Sequence, residues 1–273
     1  MVTGVRGDLA RSALRGTRFH DVRWVAETGS TNRDLLELAR GGAADGVVLV
    51  ADHQTAGRGR LDRSWVAPPD ASLLMSVLLR PRIDPADAPL LTVAMALAVA
   101  ATPAAREVSA RVKWPNDVVV DGEPPRKLAG ILAESLVDGS SDDRGGLAVV
   151  VGVGVNVDWP TPLPPELDEL STTATALNLE TGTKVDREEL LVEVLRGLER
   201  RCDDLESGDA AGLVRAAREA SATLGRRVRA DLGASQVEGI AVDLDDRGDL
   251  VVEDDVGQRH VVVAGDVIHL RGA

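Results

Sequence analysis

The sequence predicts an α+β protein in two parts: a mixed β-sheet with helices over residues 1–222, then a small SH3-like β domain over 223–273. Three observations predict this. Apolar runs of strand length, at 47–50, 73–79 and 147–157, are bounded by turn residues. Two stretches, 186–206 and 210–224, carry leucines at helical spacing. From Gly225 onward the composition changes to short alternating segments around Val228, Val237, Leu250, Val261 and Val267, with turn signals at Asp246-Arg247-Gly248 and Asp255-Val256-Gly257.

Composition narrows the function. A chain of 273 residues holds one large domain, or one and a small partner. Apolar residues make up 44% and aromatics only 2%, so the core must be aliphatic. A net charge of −13 argues against a general nucleic-acid or membrane surface. The single cysteine, Cys202, allows neither an internal disulfide nor a cysteine-rich metal site, and its helical context suits a buried small side chain. Residues 1–18 are charged and lack the apolar core of a signal peptide. The apolar run around 90–101 is too short to span a bilayer. A soluble cytoplasmic protein is expected. Only three of 31 basic residues are lysine, and two of them, Lys113 and Lys127, fall inside motifs described below.

In chain order, a short strand around Trp24 comes first, then a helix over 31–39. Thr31 with Asp34 resembles a capping box, and Gly41-Gly42 ends the helix. Ser30 and Thr31 serve as caps, and hydroxyls at a helix N-terminus can also hold polar ligand groups. The insert from Gln54 to Trp65 is unusual. Arg58, Arg60 and Arg63 offer planar forks for anionic oxygens, Gly57 and Gly59 allow close backbone approach, and Trp65 offers a flat face. Such a loop suits a polyanion and is expected to order around one, because its like charges repel until an anion arrives. Residues 85–101 read as a buried helix. Pro115 interrupts what would otherwise be one strand over 111–120, so a kinked strand edge displays Lys113, Trp114, Asn116 and Asp117, with a hairpin turn at Asp121-Gly122. The next strand begins with Lys127 at its mouth and the small Ala129 and Gly130 behind it. In the strand over 147–157, Gly152, Gly154 and Asn156 share one face and leave room for something flat. This is not a dinucleotide fingerprint: the third glycine is missing and Asp158-Trp159-Pro160 follows in place of a helix.

Together these stretches resemble the biotin–protein ligases. The matching pieces are Gly-Ser-Thr-Asn at 29–32, Gln-Thr-Ala-Gly-Arg-Gly-Arg at 54–60 with Arg63 and Trp65, Lys-Trp-Pro-Asn-Asp at 113–117, Lys-Leu-Ala-Gly-Ile-Leu at 127–132 and Gly-Val-Gly-Val-Asn at 152–156. Five motifs in one order are far more specific than any one of them. The chain looks like the monofunctional type without an N-terminal DNA-binding domain. At one position it departs: Asp62 stands where family members usually have glycine, which adds a negative charge near phosphates.

The resemblance implies a class-II-synthetase-like sheet and a two-step reaction. Biotin and ATP give biotinyl-5′-AMP, and a lysine of the biotin carboxyl carrier domain of an acyl-CoA carboxylase then takes the biotin. It implies that Ser30, Thr31, Asn32, Gln54, Gly57, Arg58, Lys127 and Gly130 bind biotin. It implies that Arg58, Arg60, Arg63, Trp65, Lys113, Asn116 and Asn156 bind ATP, with Trp65 on the adenine, Asn156 at its edge and Lys113 at the pyrophosphate end. Lys127, Arg60 and Asp117 are the expected catalytic residues. Asp117 either orients the acceptor lysine or helps hold Mg²⁺ through a water, with no direct protein ligand expected for the metal. A monomer or weak dimer is expected. Two other readings use the same residues: a lipoate–protein ligase or transferase, and a non-catalytic regulator that holds biotinyl-adenylate. A nucleotide-binding adaptor is a third, resting on the C-terminal domain alone.

Overall fold

The computed structural model describes residues 6–137, 146–231, 235–263 and 265–270, so the first five residues of the charged N-terminal stretch lie outside it. A seven-stranded sheet runs in the order β1-β2-β3-β7-β6-β5-β4. Its strands are β1 (Val22–Thr28), β2 (Val48–Gln54), β3 (Ser72–Leu79), β4 (Arg111–Lys113), β5 (Asp117–Val120), β6 (Arg126–Val137) and β7 (Leu147–Asn156). β1 and β2 are parallel and every other pairing is antiparallel, so the sheet is mixed.

The helices are α1 (Asp8–Ala13), α2 (Thr31–Arg40), α3 (Leu90–Ala100), α4 (Pro103–Glu107), α5 (Leu177–Thr181), α6 (Arg187–Glu206) and α7 (Ala210–Glu219). α3 is buried at nine of its eleven positions, which fits a helix apolar all round. It lies between the sheet and α6, where a Cβ added at Gly197 would stand 3.3 Å from that of Ala98. The Asp186 side chain caps α6 by accepting from the N–H groups of Glu188 and Glu189.

Strand alternation then decides where a site can form. On β7, Val149, Val151, Val153 and Val155 point into the main core with α3 and α6. Ala148 and Val150 point the other way and are covered by Leu35, Leu36 and Ala39 of α2. Gly152 and Gly154 continue that second face past the N-terminus of α2. The sheet is therefore covered on one face and half covered on the other, and the bare half carries the cleft.

The smaller sheet is antiparallel, in the order β11-β10-β9-β8-β12, from β8 (Arg227–Asp231), β9 (Gln236–Leu244), β10 (Leu250–Glu253), β11 (Arg259–Val262) and β12 (Asp266–His269). It is tied to the larger part of the chain by the indole N–H of Trp114, in the turn after β4, which donates to Gly248 O at 3.0 Å, and by Arg218 of α7, whose Nε meets Asp243 Oδ1 at 2.7 Å. Among the described residues no helix is long and apolar enough to cross a membrane.

Three local expectations are corrected. Thr31 and Asp34 form no capping box. Ser30 is the N-cap and makes no side-chain cap bond, the Asp34 carboxylate takes the Thr28 hydroxyl, and Thr31 turns into the cleft. Pro115 does not kink one strand. Trp114 to Asn116 reverse the chain, so β4 and β5 pair antiparallel with Lys113 opposite Asp117. The helix expected over 85–101 is a single 3₁₀ turn at Pro85–Asp87 followed by α3.

Candidate active site

The cleft, about 930 Å³ with its open mouth, lies over the bare half of the sheet. That is within the usual range for a small-molecule site. Two cross-strand rows form its floor: Ser76, Gly152 and Leu132 in one, Leu74, Gly154 and Gly130 in the other. The glycines are required by what lies on them. A Cβ at Gly152 would stand 1.9 Å from Asn32 Oδ1, and one at Gly154 would stand 2.4 Å from the Trp65 ring. The Trp65 indole thus rests on a shelf with no side chains.

One end of the cleft is polar and uncharged. Gln54 Oε1 accepts from the Thr31 N–H at 2.7 Å and lies 3.1 Å from the Thr31 hydroxyl, which is also 2.7 Å from the Ser76 hydroxyl. Proton counting sorts these contacts. Asn32 spends both amide hydrogens on Leu132 O and Glu134 Oε2, at 3.1 and 3.0 Å, so its Oδ1 can only accept. The donor is Ser76, at 2.6 Å. Ser76 has one hydrogen, so in the Thr31–Ser76 contact Thr31 is the donor, its hydrogen shared between Ser76 Oγ and Gln54 Oε1. The free lone pair of Thr31 is then an acceptor for the cleft, while the amide N–H groups of Gln54 remain donors.

The other end is cationic. The insert from Gly57 to Trp65 is a small hairpin: Trp65 N–H donates to Gly57 O at 3.0 Å, and Arg63 N–H to Arg60 O at 3.1 Å. Leu61 and Asp62, the two central residues of its turn, have φ of 54° and 57°. Positive φ at both is the signature of a type I′ turn, whose second central position favours glycine. Asp tolerates that region better than most side chains, so the hairpin keeps its path with Asp62 in place. Arg60 reaches across to Asn116 Oδ1 at 3.2 Å and, in the small domain, to Gly265 O at 3.4 Å.

Lys127 stands between the two ends. Its Nζ is 2.7 Å from Asp117 Oδ1 and 5.5 Å from the centre of the Trp65 ring. Its backbone is clamped: Lys127 N–H donates to Thr173 O and Thr175 N–H to Lys127 O, both at 2.9 Å.

Of the residues expected from sequence, Ser30, Thr31, Asn32, Gln54, Arg58, Arg60, Arg63, Trp65, Lys113, Asn116, Asp117, Lys127 and Gly130 all line this one cleft. Two do not. Gly57 stands behind the hairpin, where a Cβ would meet Trp65 O at 2.4 Å. Asn156, placed by the sequence at an adenine edge, is only 2% exposed; its Nδ2 donates to Thr175 O at 2.9 Å and to Lys127 O at 3.4 Å, and its Oδ1 is buried without a partner. It braces Lys127 from behind.

Known proteins resemble this chain over most of its length. Residues 25–156 match the model of the biotin/lipoate A/B protein ligase family, and residues 223–270 that of the biotin protein ligase C-terminal domain. The biotin--[acetyl-CoA-carboxylase] ligase of Mycobacterium tuberculosis is 42% identical over 94% of this chain and 91% of its own length. The enzyme of that name from Paracoccus denitrificans is 35% identical over 89% of this chain and 98% of its own. The chain belongs to the biotin protein ligase family. Among solved structures, biotin protein ligase from Aquifex aeolicus in complex with biotin and ATP superposes with a TM-score of 0.76 at 29% identity, covering 92% of this chain and all of that one.

Four residues outside the five motifs bear on the site, Ser76 and Val267 from its lining and Glu134 and Thr175 from beneath it. Ser76 is the sole polar residue in an apolar run, and Glu134 ends another; each was a visible signal. Thr175 gave none. Val267, from β12, also lines the cleft. Its neighbour His269 is held neutral: burial, then the charges of Lys113 and Arg226, push its pKa down to about 4.

Proposed function

We propose that this chain uses ATP to join biotin to a lysine of a carboxylase's biotin carboxyl carrier domain, through biotinyl-5′-AMP. One observation carries the reading. Lys127, paired with Asp117, sits where a neutral pocket of hydrogen-bonding groups meets a wall of arginines. A ligand with a ureido ring at one end and a carboxylate at the other fits that gradient. Its N–H groups find the Thr31 acceptor, its carbonyl finds the Gln54 amide and Ser30, and its carboxylate ends at Lys127.

The chemistry follows from charge. A carboxylate oxygen attacks the α-phosphorus of ATP, the bond from that phosphorus to the oxygen bridging to the β-phosphate breaks, and pyrophosphate leaves with that oxygen. The reactants are both anions, so the chain's task is to neutralise and align them. Lys127 bridges carboxylate and α-phosphate, Arg60 and Arg63 hold phosphate oxygens with Arg58 adding its charge beside them, and Lys113 faces the departing pyrophosphate. Asn116 keeps Arg60 aimed inward, and Asn156 keeps Lys127 in place. In the second step the acceptor amine attacks the acyl carbon, the C–O bond to AMP breaks, and the amine loses a proton. Asp117, released when Lys127 turns to the anion, orients that amine. Trp65 leaves its glycine shelf or shares it with the adenine.

Mg²⁺ belongs to this scheme as a companion of the triphosphate. Asp117 is the one carboxylate among the lining residues, and among the described residues no three His, Cys, Asp or Glu side chains converge. That donor set would suit a cation that arrives on phosphate, which Asp117 would help hold through a water.

Biotin-dependent ATP–pyrophosphate exchange by the purified chain, with lipoate in parallel and no carrier present, tests the reading. Exchange with biotin alone is expected. Exchange with lipoate alone would move the chain to lipoate chemistry, and none with either would leave a binding protein.

A further inference from the structure

The two ends of the cleft are joined beneath its lining by a residue that does not line it. Glu134, on β6, sits one strand repeat beyond Leu132 of the glycine floor. Its Oε2 accepts from Asn32 Nδ2 at 3.0 Å and from Arg58 Nη1 at 3.2 Å, and its Oε1 lies 3.0 Å from Arg58 Nη2. The Glu134 side chain is 22% exposed and that of Arg58 46%. Arg58 thus makes a two-toothed contact with a carboxylate on the sheet, the geometry in which a guanidinium is held most firmly. Asn32 is pinned from three sides, by Ser76, by Leu132 O and by Glu134. An unbroken series of hydrogen bonds therefore runs from Gln54 through Thr31, Ser76, Asn32 and Glu134 to the first arginine of the hairpin.

We infer that Glu134 is a positioning residue that latches the arginine hairpin to the polar end of the cleft. This rests on the ligase reading only for its consequence for catalysis. Without an anionic ligand, three arginines on one short hairpin repel one another and the turn is left-handed at two non-glycine residues. The Glu134 carboxylate offsets that repulsion by holding Arg58 against the sheet. Because it also holds Asn32, occupation of the polar end tightens the same carboxylate that closes the hairpin.

Glu134→Gln tests this, because the amide keeps an acceptor for Asn32 and the shape of the side chain while losing the charge that Arg58 needs. The hairpin offers tryptic sites at Arg58, Arg60 and Arg63, so limited proteolysis of the ligand-free protein reads the latch without any assay of activity. Cleavage there is expected to rise about tenfold in the variant, the equivalent of one charge-assisted contact, with the melting temperature little changed. Salt is expected to speed cleavage of the parent chain, by screening the Glu134–Arg58 pair, and not to speed it in the variant, where only the repulsion among the arginines is left to screen. Release of bound biotinyl-AMP is expected to quicken about tenfold, while the turnover number for pyrophosphate exchange at saturating biotin changes by less than about threefold. Hairpin cleavage at the parental rate, or the same salt response in both proteins, would overturn the latch. A changed cleavage rate in a chain that fails to exchange pyrophosphate would keep the latch and overturn the ligase reading instead.

Discussion

Gly152→Ala is the sharpest single perturbation of the floor. The added methyl would stand 1.9 Å from Asn32 Oδ1 and 2.8 Å from its Cγ, so the Asn32 amide has to retreat by about 1.5 Å to reach ordinary contact. Its hydrogen bonds to Ser76, Leu132 O and Glu134, now 2.6 to 3.1 Å, cannot survive that retreat. Each is worth about 1 kcal/mol net. Part of the loss is regained, because alanine costs less backbone entropy than glycine in a strand, by about 0.5–1 kcal/mol. A net destabilisation of about 2 kcal/mol is expected in urea unfolding. The larger effect falls on binding. Ser76 loses its acceptor and turns its hydrogen elsewhere, so Thr31 is no longer obliged to present a lone pair to the cleft. The KM for biotin in pyrophosphate exchange is expected to rise at least about tenfold, one unsatisfied polar contact in a site built for it, while the KM for ATP moves little. Stability within about 0.5 kcal/mol of the parent chain and an unchanged biotin KM would refute the reasoning, since both consequences come from the one displaced amide.

Other outcomes follow from the same geometry. Lys127→Ala is expected to lower adenylate formation by about 10²–10³-fold, as loss of one oriented charge at a reacting anion does; its part-exposed pair with Asp117 predicts little change in melting temperature. Arg60→Ala is expected to hasten release of biotinyl-AMP by more than it lowers stability, because Arg60 joins the hairpin both to Asn116 and to the small domain. Asp62→Gly is expected to tighten ATP binding severalfold, read from its KM, since glycine suits the turn and a negative charge leaves the phosphate side. His269 gives a pH dependence. Its folded pKa, near 4, lies below the ordinary value of about 6.5, so between those limits the unfolded chain binds the proton that the native one refuses. Stability should therefore fall as pH drops from 6.5 towards 4, and His269→Asn should flatten that part of the urea-midpoint profile.

Most of the fold was legible because its signals were local. Val149 to Val157 alternate so regularly that the buried face and the glycine face of β7 can be assigned from sequence. The arginine insert was legible as chemistry because a dozen residues of that composition have no cheaper use between two strands. What stayed hidden depended on contacts far apart in the chain. Thr31 reads as a cap because Asp34 follows three residues on, and nothing local says that Gln54 will take its backbone N–H and Ser76 its hydroxyl instead. Asn156 shares a face with Gly152 and Gly154, so it reads as a ligand contact. Only the return of the chain at Thr175 reveals that the amide is spent on backbone carbonyls. Pro115 reads as a kink because one sequence cannot show that the two halves will pair with each other.

The small domain shows how a segment with no visible chemistry enters the chemistry. Its strands carry mostly aliphatic side chains and solvated charges, and no motif in them points to chemistry. Yet Trp114, in the middle of the Lys-Trp-Pro-Asn-Asp turn, is 8% exposed because its indole is spent on Gly248 O and its backbone N–H on Thr223. Lys113 and Asn116 flank that anchor, so the direction in which the turn presents them is set by where the small domain sits. Arg60 adds a second tie through Gly265 O, and Val267 a piece of wall. Two of the cations expected to meet phosphate, Lys113 and Arg60, are thus aimed by a domain with no phosphate-binding motif of its own. The two sheets share one buried core, so the small domain serves stability as well; a polyanion site assembled from a hairpin and a turn needs it for geometry too, because neither has a core to fix its direction.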